Sequence, residues 1–436
     1  MKSIIRSLRH RNFRLYFFGQ GLSVTGTWMQ SVAMLWLVYD LTGSKALLGL
    51  AGFASQILTF AVAPFAGVLA DRWNRRRTII AAQALAMAQA FGLAAVAYTM
   101  PERVDHWVEI WPILALSVLT GLVRGFEVPT RHSFIVQMLE DPADLPNAIA
   151  LNAFLVNTAR VLGCTLAGPL IQAIGRHGEA TVLLINGASY ATIIAALALM
   201  RIRPRRREAP AGDVLAGLKQ GWTYVWHTPT LRAVLLLLAL TSLVAVPYAE
   251  MLPAFAKDVH LLSGGPDTLS YLKGAAAVGA LLALVLLAYR RTAVPLGRIL
   301  LGGGVLFGLG LIAFGAASWY WRSLPVSLAV LAWVGLAVTT QIYACNTLLQ
   351  TTADEDKRGR VMSFYTMAFM GMIPFGAILM GGLAEMLDAH LAPAQEGIGA
   401  PLVVAAGGFL LIVGTLILGR RLPKEVRPVA PAIEAG

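Results

Sequence analysis

The stretch GVLADRWNRRRTI, residues 67–79, stands between two apolar runs at 47–69 and 78–100. Its arginines Arg72, Arg75, Arg76 and Arg77 cannot rest in hydrocarbon, so they hold a short turn at one membrane surface. Each flanking run is long enough to cross a bilayer, which takes ~20 apolar residues. The same test, applied outward from this turn, predicts twelve spans. They lie near 15–39, 47–69, 78–100, 110–138, 145–174, 180–200, 231–255, 269–289, 295–318, 324–351, 361–387 and 401–418. The fourth, fifth, tenth and eleventh contain polar or charged positions.

Composition supports this. Of 436 residues, 57% are hydrophobic and only 13% charged, against the usual ~45–50% and about 25% of soluble domains. A soluble chain of this size would need far more charge to cover its surface. The 42 glycines fit close helix packing in lipid. With the N-terminus placed inside, twenty-five Lys and Arg fall in inner segments and six in outer loops; Arg124, Arg131, Arg160 and Arg232 lie in or at the edge of spans. That bias predicts an even number of spans with both termini cytoplasmic, in a bacterial inner membrane. The net charge of +12 is then topology, not a nucleic-acid footprint. The basic start runs into apolar sequence to Tyr39 with no clear cleavage site, so a retained first helix is expected.

The organisation expected is a six-helix bundle over 1–200, a cytoplasmic linker over 201–230 and a second bundle with a short tail over 231–436. The linker opens basic and Pro-rich, then reads as an interfacial helix capped by Asp213 with Leu215, Leu218, Trp222, Val225 and Trp226 near one face. VLGCTLAGP matches PFGAILMGG at an offset of 213, with Gly163 on Gly376 and Gly168 on Gly381. Six spans repeated in parallel is an architecture built for rocking about a midplane site.

The turn at 67–79 resembles the signature loop of the major facilitator superfamily, Gly-x-Leu-Ala-Asp-Arg-x-Gly-Arg-Arg/Lys. Gly67, Leu69, Asp71, Arg72, Arg75 and Arg76 match, and Asn74 replaces the usual Gly. The resemblance implies that this loop latches the two halves on the cytoplasmic side. WMQSVAMLWLVYDLTGS, GFEVPTRHSFIVQML, LPNAIALNAFLVNTARVLG and GLKQGWTYVWHTPTLR are similar to the branch that contains enterobactin exporters and macrolide efflux proteins. That similarity implies proton-driven export of an amphiphilic molecule, with no cofactor beyond the proton gradient. It departs from the drug-antiporter motif of the fifth span, because Leu170, Ile171 and Gln172 follow Gly168 and Pro169.

Ionisable groups inside spans are functional candidates by default. Glu127 and Glu250 are the acids well inside, with Arg124, Arg131 and Arg160 among the bases. Glu127 lies ~24 Å along its helix and Arg160 roughly 22 Å along the next, depths that could meet; Arg131 is four residues beyond Glu127 on the same face. Either a permanent ion pair or a carboxylate traded between arginine and a proton would use this constellation. Glu250 sits nearer the outer end of its span. Trp28, Gln30, Trp36, Asn152, Asn157, Tyr248, Glu250, Gln341, Tyr343, Asn346, Tyr365 and Phe369 are candidates to line a substrate cavity, with the methionines of the eleventh span as adaptable wall.

Neither Cys164 nor Cys345 nor the seven histidines show metal-ligand spacing, and no Walker or Rossmann loop is present. No enzyme, metal or nucleic-acid partner is expected; substrate, protons and lipid are, for a monomer. A lysophospholipid flippase, an uptake transporter or a non-transporting receptor remain the alternatives, which fold alone does not separate.

Overall fold

The computed structural model describes residues 5–72, 74–101, 103–104, 107–201, 214–258, 262–289, 296–355, 357–391 and 397–421. These form α1 (Arg11–Thr42), α2 (Lys45–Arg72), α3 (Arg75–Thr99), α4 (Trp111–Phe134), α5 (Leu145–Ile174), α6 (Gly178–Leu199) and α7 (Val214–His227). Then follow α8 (Pro229–Val244), α9 (Tyr248–Lys257), α10 (Pro266–Ala288), α11 (Leu296–Ala316), α12 (Leu324–Thr352), α13 (Arg358–Met370), α14 (Met372–Leu391) and α15 (Gly399–Gly419). Among the described residues there is no strand. Only helices satisfy the backbone inside lipid without a closed barrel.

Ten stretches are long and apolar enough to cross a bilayer: α2, α3, α5, α6, the α8–α9 pair, α10, α11 with its last turn, α12, the α13–α14 pair and α15. The other long helices, α1 with 32 residues and α4 with 24, rest on length. Two expected spans are broken rather than continuous. The seventh parts at Ala245–Pro247, where a proline takes the cap of α9. The eleventh parts at Gly371, where a Cβ would strike the Met367 carbonyl and the Phe60 ring.

The helices sort by contact. In the first half α1 packs on α5 and α6, α2 on α4, and α3 on α4 and α6; in the second, α10 packs on α12, α11 on α12 and α15, and α8 on α13, α14 and α15. Extensive contacts join the halves along α2 with α14 and α5 with α10. The 213-residue echo has a structural counterpart there. Gly163 seats α5 against Thr25 and Trp28 of α1, as Gly376 seats α14 against Leu243 and Pro247 around the α8–α9 break. Gly168 lets α5 approach the Pro266 carbonyl of α10, as Gly381 lets α14 approach the Lys45 carbonyl of α2.

The face where α1 begins is tied down by charge. Asp144 is buried and meets Arg6, Arg9 and His10, the last at 2.8 Å, while Asn12 bonds to the Arg201 carbonyl at 3.0 Å. The expected cap Asp213 and residues 202–213 lie outside the described residues. The helix α7 that follows stacks Trp222 on Trp226 at 5.3 Å and packs on α8 and α13.

Candidate functional site

Two chemically distinct clusters and one wedge-shaped interface emerge. At the face opposite the α1 start, the Lys45 ammonium lies 3.0 Å from Asp258 and also bonds to Asp388. The Lys45 backbone N–H donates to Glu385 at 2.7 Å, the Tyr39 hydroxyl bonds to Asp258 at 2.5 Å, and Lys257 meets Asp40 at 2.7 Å. Residues 39–45 belong to the first half and 257–388 to the second, so this is a cross-bundle ionic lock. It sits on a floor of close helix contacts at Gly49, Gly168 and Gly381, with Phe53 edge-on to Phe375 at 5.9 Å.

Toward the α1-start face the described polar contacts no longer cross between the halves. Among the described residues, every hydrogen bond and ion pair on that face stays within one half: Arg6, Arg9 and His10 with the 141–144 turn, Arg76 with the Ala198 carbonyl, and Lys357 with Asp354 at 2.9 Å. Among the described residues the polar contacts between the bundles thus gather at one face, the pattern of a wedge.

Glu127 lies in the first half, where Arg131 approaches at 3.5 Å and the Gln83 amide donates at 3.3 Å. Arg160 does not join it. Gly163 turns that face of α5 onto α1, and the Arg160 guanidinium settles 5.6 Å over the Trp28 ring. Arg124, half-buried on α4, falls within charge range of Glu250. Glu250 itself packs against α2, where a Cβ on Gly52 would lie 3.2 Å from its Cγ. It lies eight residues short of Asp258, ~12 Å below the lock if helical rise is kept, and so roofs the wedge rather than standing at the surface.

Several cavity candidates are taken up by packing. Gln30 is 5% exposed and bonds to Gln89 and Asn186; Asn152 accepts from Tyr16 at 3.2 Å; Gln341 is fully buried and donates to Thr241 at 2.9 Å. Buried amides of this kind join helices where lipid offers no other partner. Trp36 is buried too, and borders a separate cavity of about 830 Å³ at the lock face beside Asp40, Arg176 and Lys257. Asn157 bonds its own helix at Ala153, Asn346 accepts from Gln350, and Tyr343 is exposed. Tyr365 stacks with Phe369 at 6.2 Å, and Tyr248 meets Phe307 edge-on.

The signature loop is described only in part. Gly67, Asp71 and Arg72 lie on the last turns of α2, and their side chains are outside the described residues. Asn74, the departure from the family pattern, has an extended backbone and accepts from the Arg77 N–H at 3.2 Å, so it caps α3. A capping residue does at this position what a glycine's freedom would otherwise serve.

Sequence reasoning overlooked the lock. Lys45, Lys257 and Lys273 read as outer-loop cations, yet Lys45 opens α2 and Lys273 lies inside α10. The usable signal was the run of acids Asp40, Asp258, Glu385 and Asp388 at the outer ends of spans.

A wedge of two helical bundles, locked by charge at one face, defines a transporter of the major facilitator class. The chain belongs to that superfamily's transmembrane secretion effector family, whose sequence model matches residues 2–424. It is 25% identical over 386 residues to the multidrug efflux pump Tap of Mycobacterium tuberculosis, covering 86% of this chain and 88% of the pump. It is 25% identical over 425 residues to the enterobactin exporter EntS of Citrobacter koseri, covering 95% and 94%, and 21% identical to the staphyloferrin A transporter of Staphylococcus aureus, covering 85% and 89%. In fold it is similar to the nucleoside transporter NupG, with a TM-score of 0.73 at 12% identity over 95% and 98% of the two chains. A bacterial homologue of the lysosomal transporter Spinster, inward-facing and unoccupied, gives 0.70 at 15% identity over 94% and 98%.

Proposed function

We propose that this transporter exports an amphiphilic small molecule from the bacterial cytoplasm by alternating access, driven by proton antiport. The single observation behind this reading is the one-sided lock. The Tyr39 hydroxyl and the charges of Lys45, Asp258, Glu385 and Asp388 bind the halves at one face, and among the described residues nothing comparable joins them at the other. With the positive-inside bias setting the α1-start face in the cytoplasm, the molecule is open inward. Residues 1–200 and 231–436 then rock as bodies about the wedge, and the Asp71–Arg76 loop latches the cytoplasmic side once the lock opens.

The proton has a candidate carrier in Glu127, buried between Arg131 and Gln83. A carboxylate that trades a cationic partner for a proton as the halves move ties ion flow to the conformational cycle. Export draws its support from the likeness to an efflux pump and an enterobactin exporter. Inverted vesicles with an imposed pH gradient test it: an amphiphilic fluorescent dye should accumulate inside and leak out when nigericin collapses the gradient. Dye movement that ignores the gradient argues instead for lipid-like flipping.

A further inference from the structure

We propose that the wedge binds an organic anion: an amphiphile whose acidic group is held by Arg160, Lys273 and Arg124 while its apolar body rests on Trp28. The inference rests on the transporter reading and names the substrate class of the same cavity. Arg124 and Arg160 come from the first half, Lys273 and Glu250 from the second. All four are half-buried, and among the described residues none of them forms an ion pair or a hydrogen bond through its charged group. Their neighbourhood is fixed by packing. One close contact between α5 and α10 joins Thr165 to Gly274, the residue after Lys273. Arg160 lies five residues before Thr165, over the Trp28 ring. Glu250 packs on Gly52 of α2, and Arg124 adjoins Gly125, which packs on Thr59 and Val62 of the same helix; the charges of Lys273 and Arg124 act on Glu250 and those of Lys273 and Arg160 on Cys164.

Charge decides the class of ligand. At the lock Asp258 and Asp388 are met by Lys45, Asp40 by Lys257 and Glu385 by the Lys45 and Ala46 backbone N–H groups, and Glu127 is occupied by Arg131. That leaves Glu250 alone against three cations, an excess of two positive charges at the roof of the wedge. Cations without an acidic partner at membrane depth are costly and persist where a ligand or pathway uses them. Two of them are guanidinium groups, whose forked donors suit carboxylate and other oxyanions. A cationic drug would find the field against it, and Glu250 would compete with an anion for the same partners.

The test uses three pyrene probes that share one apolar body: pyrenebutyrate, its methyl ester and pyrenebutylamine. Binding to the full-length protein in nanodiscs is read by tryptophan-to-pyrene energy transfer against empty nanodiscs. The carboxylate should bind about tenfold more tightly than the amine, the equivalent of one charge-assisted hydrogen bond. The Arg160→Gln, Lys273→Gln double variant should lose that preference while keeping the ester, and Glu250→Gln should tighten the carboxylate alone. Equal affinity for the three probes, a tighter amine, or a Glu250→Gln protein that binds the carboxylate no better overturns the assignment. The transporter reading is judged separately, by whether the distance across the lock face changes when the lock is cut. A protein that swings but shows no charge preference loses only the anion.

Discussion

Lys45 and Asp258, from different bundles, hold their charges 3.0 Å apart, with the Lys45 side chain only 7% exposed. Asp388 closes on the same ammonium and Glu385 accepts the backbone N–H of the same residue. One residue therefore restrains three carboxylates, two through its ammonium and one through its backbone N–H. Removing one partner of a buried charge pair costs about 2–5 kcal/mol, much of it the price of the charges left behind. Lys45→Met should accordingly push the two halves apart at this face. Spin labels at Ser44 and His390, in a background with Cys164 and Cys345 replaced by alanine, should report a longer distance than the parent. An unchanged distance distribution would show that helix packing alone closes the face.

Packing has its own test. A Cβ at Gly168 would meet the Pro266 carbonyl and the Ser270 hydroxyl, which already accepts the Gly168 N–H at 2.6 Å. Gly168→Val should obstruct closure of the lock face and reduce gradient-driven dye transport by about 5-fold or more, because overpacking costs roughly 1–3 kcal/mol. Gly302→Ala is the matched control, since nothing lies within 4 Å of its added carbon. Equal transport by the two variants would contradict a role for the α5–α10 approach.

The N-terminal clamp predicts a pH response. Burial acts to raise the Asp144 pKa, but the bond to His10 and the charges of Arg6 and Arg9 more than offset it and hold the carboxyl below its usual range. A carboxylate whose folded-state pKa is depressed contributes stability that is complete above the unfolded value of about 3.9. That contribution is lost as pH falls through the folded value. Amide protection over residues 6–14 should thus be full near neutrality and vanish only below about pH 4. Asp144→Asn should lose it at neutral pH. Protection in that variant equal to the parent would leave the clamp without a charge basis.

Apolar run length and charge asymmetry made the spans legible, because both are properties of the chain against the bilayer. The break at Gly371 was hidden, since it depends on Phe60 of a neighbouring helix, α2, whereas the one at Ala245–Pro247 carried a proline as its signal. The same limit applies to the site. Glu127 with Arg131 was readable from a spacing of four along one helix. Whether Arg160 reached Glu127 depended on the direction Gly163 gives to α5, and depth along separate helices carries no azimuth. The 213-residue echo was the exception, a weak repeat that marked helix contacts used in both halves.

Glu127 separates a proton carrier from a structural pair. Its carboxylate meets Arg131 and Gln83 within the first half, and Tyr16 stands close enough to feel both charges. Glu127→Gln keeps shape and the capacity to accept from Gln83 while removing the group that binds a proton. A carrier predicts that this variant loses accumulation of dye against its gradient yet still equilibrates dye downhill, because the halves can still rock. A structural pair predicts a different pattern. Glu127→Gln and Arg131→Gln would then each lower the unfolding temperature by leaving one buried charge unmatched, and the Glu127→Leu, Arg131→Met double replacement would recover part of the loss. Thermal unfolding and transport measured on the same four proteins distinguish the two. Undiminished uphill transport by Glu127→Gln would remove Glu127 from the coupling path and leave Glu250 as the remaining acid well inside the membrane.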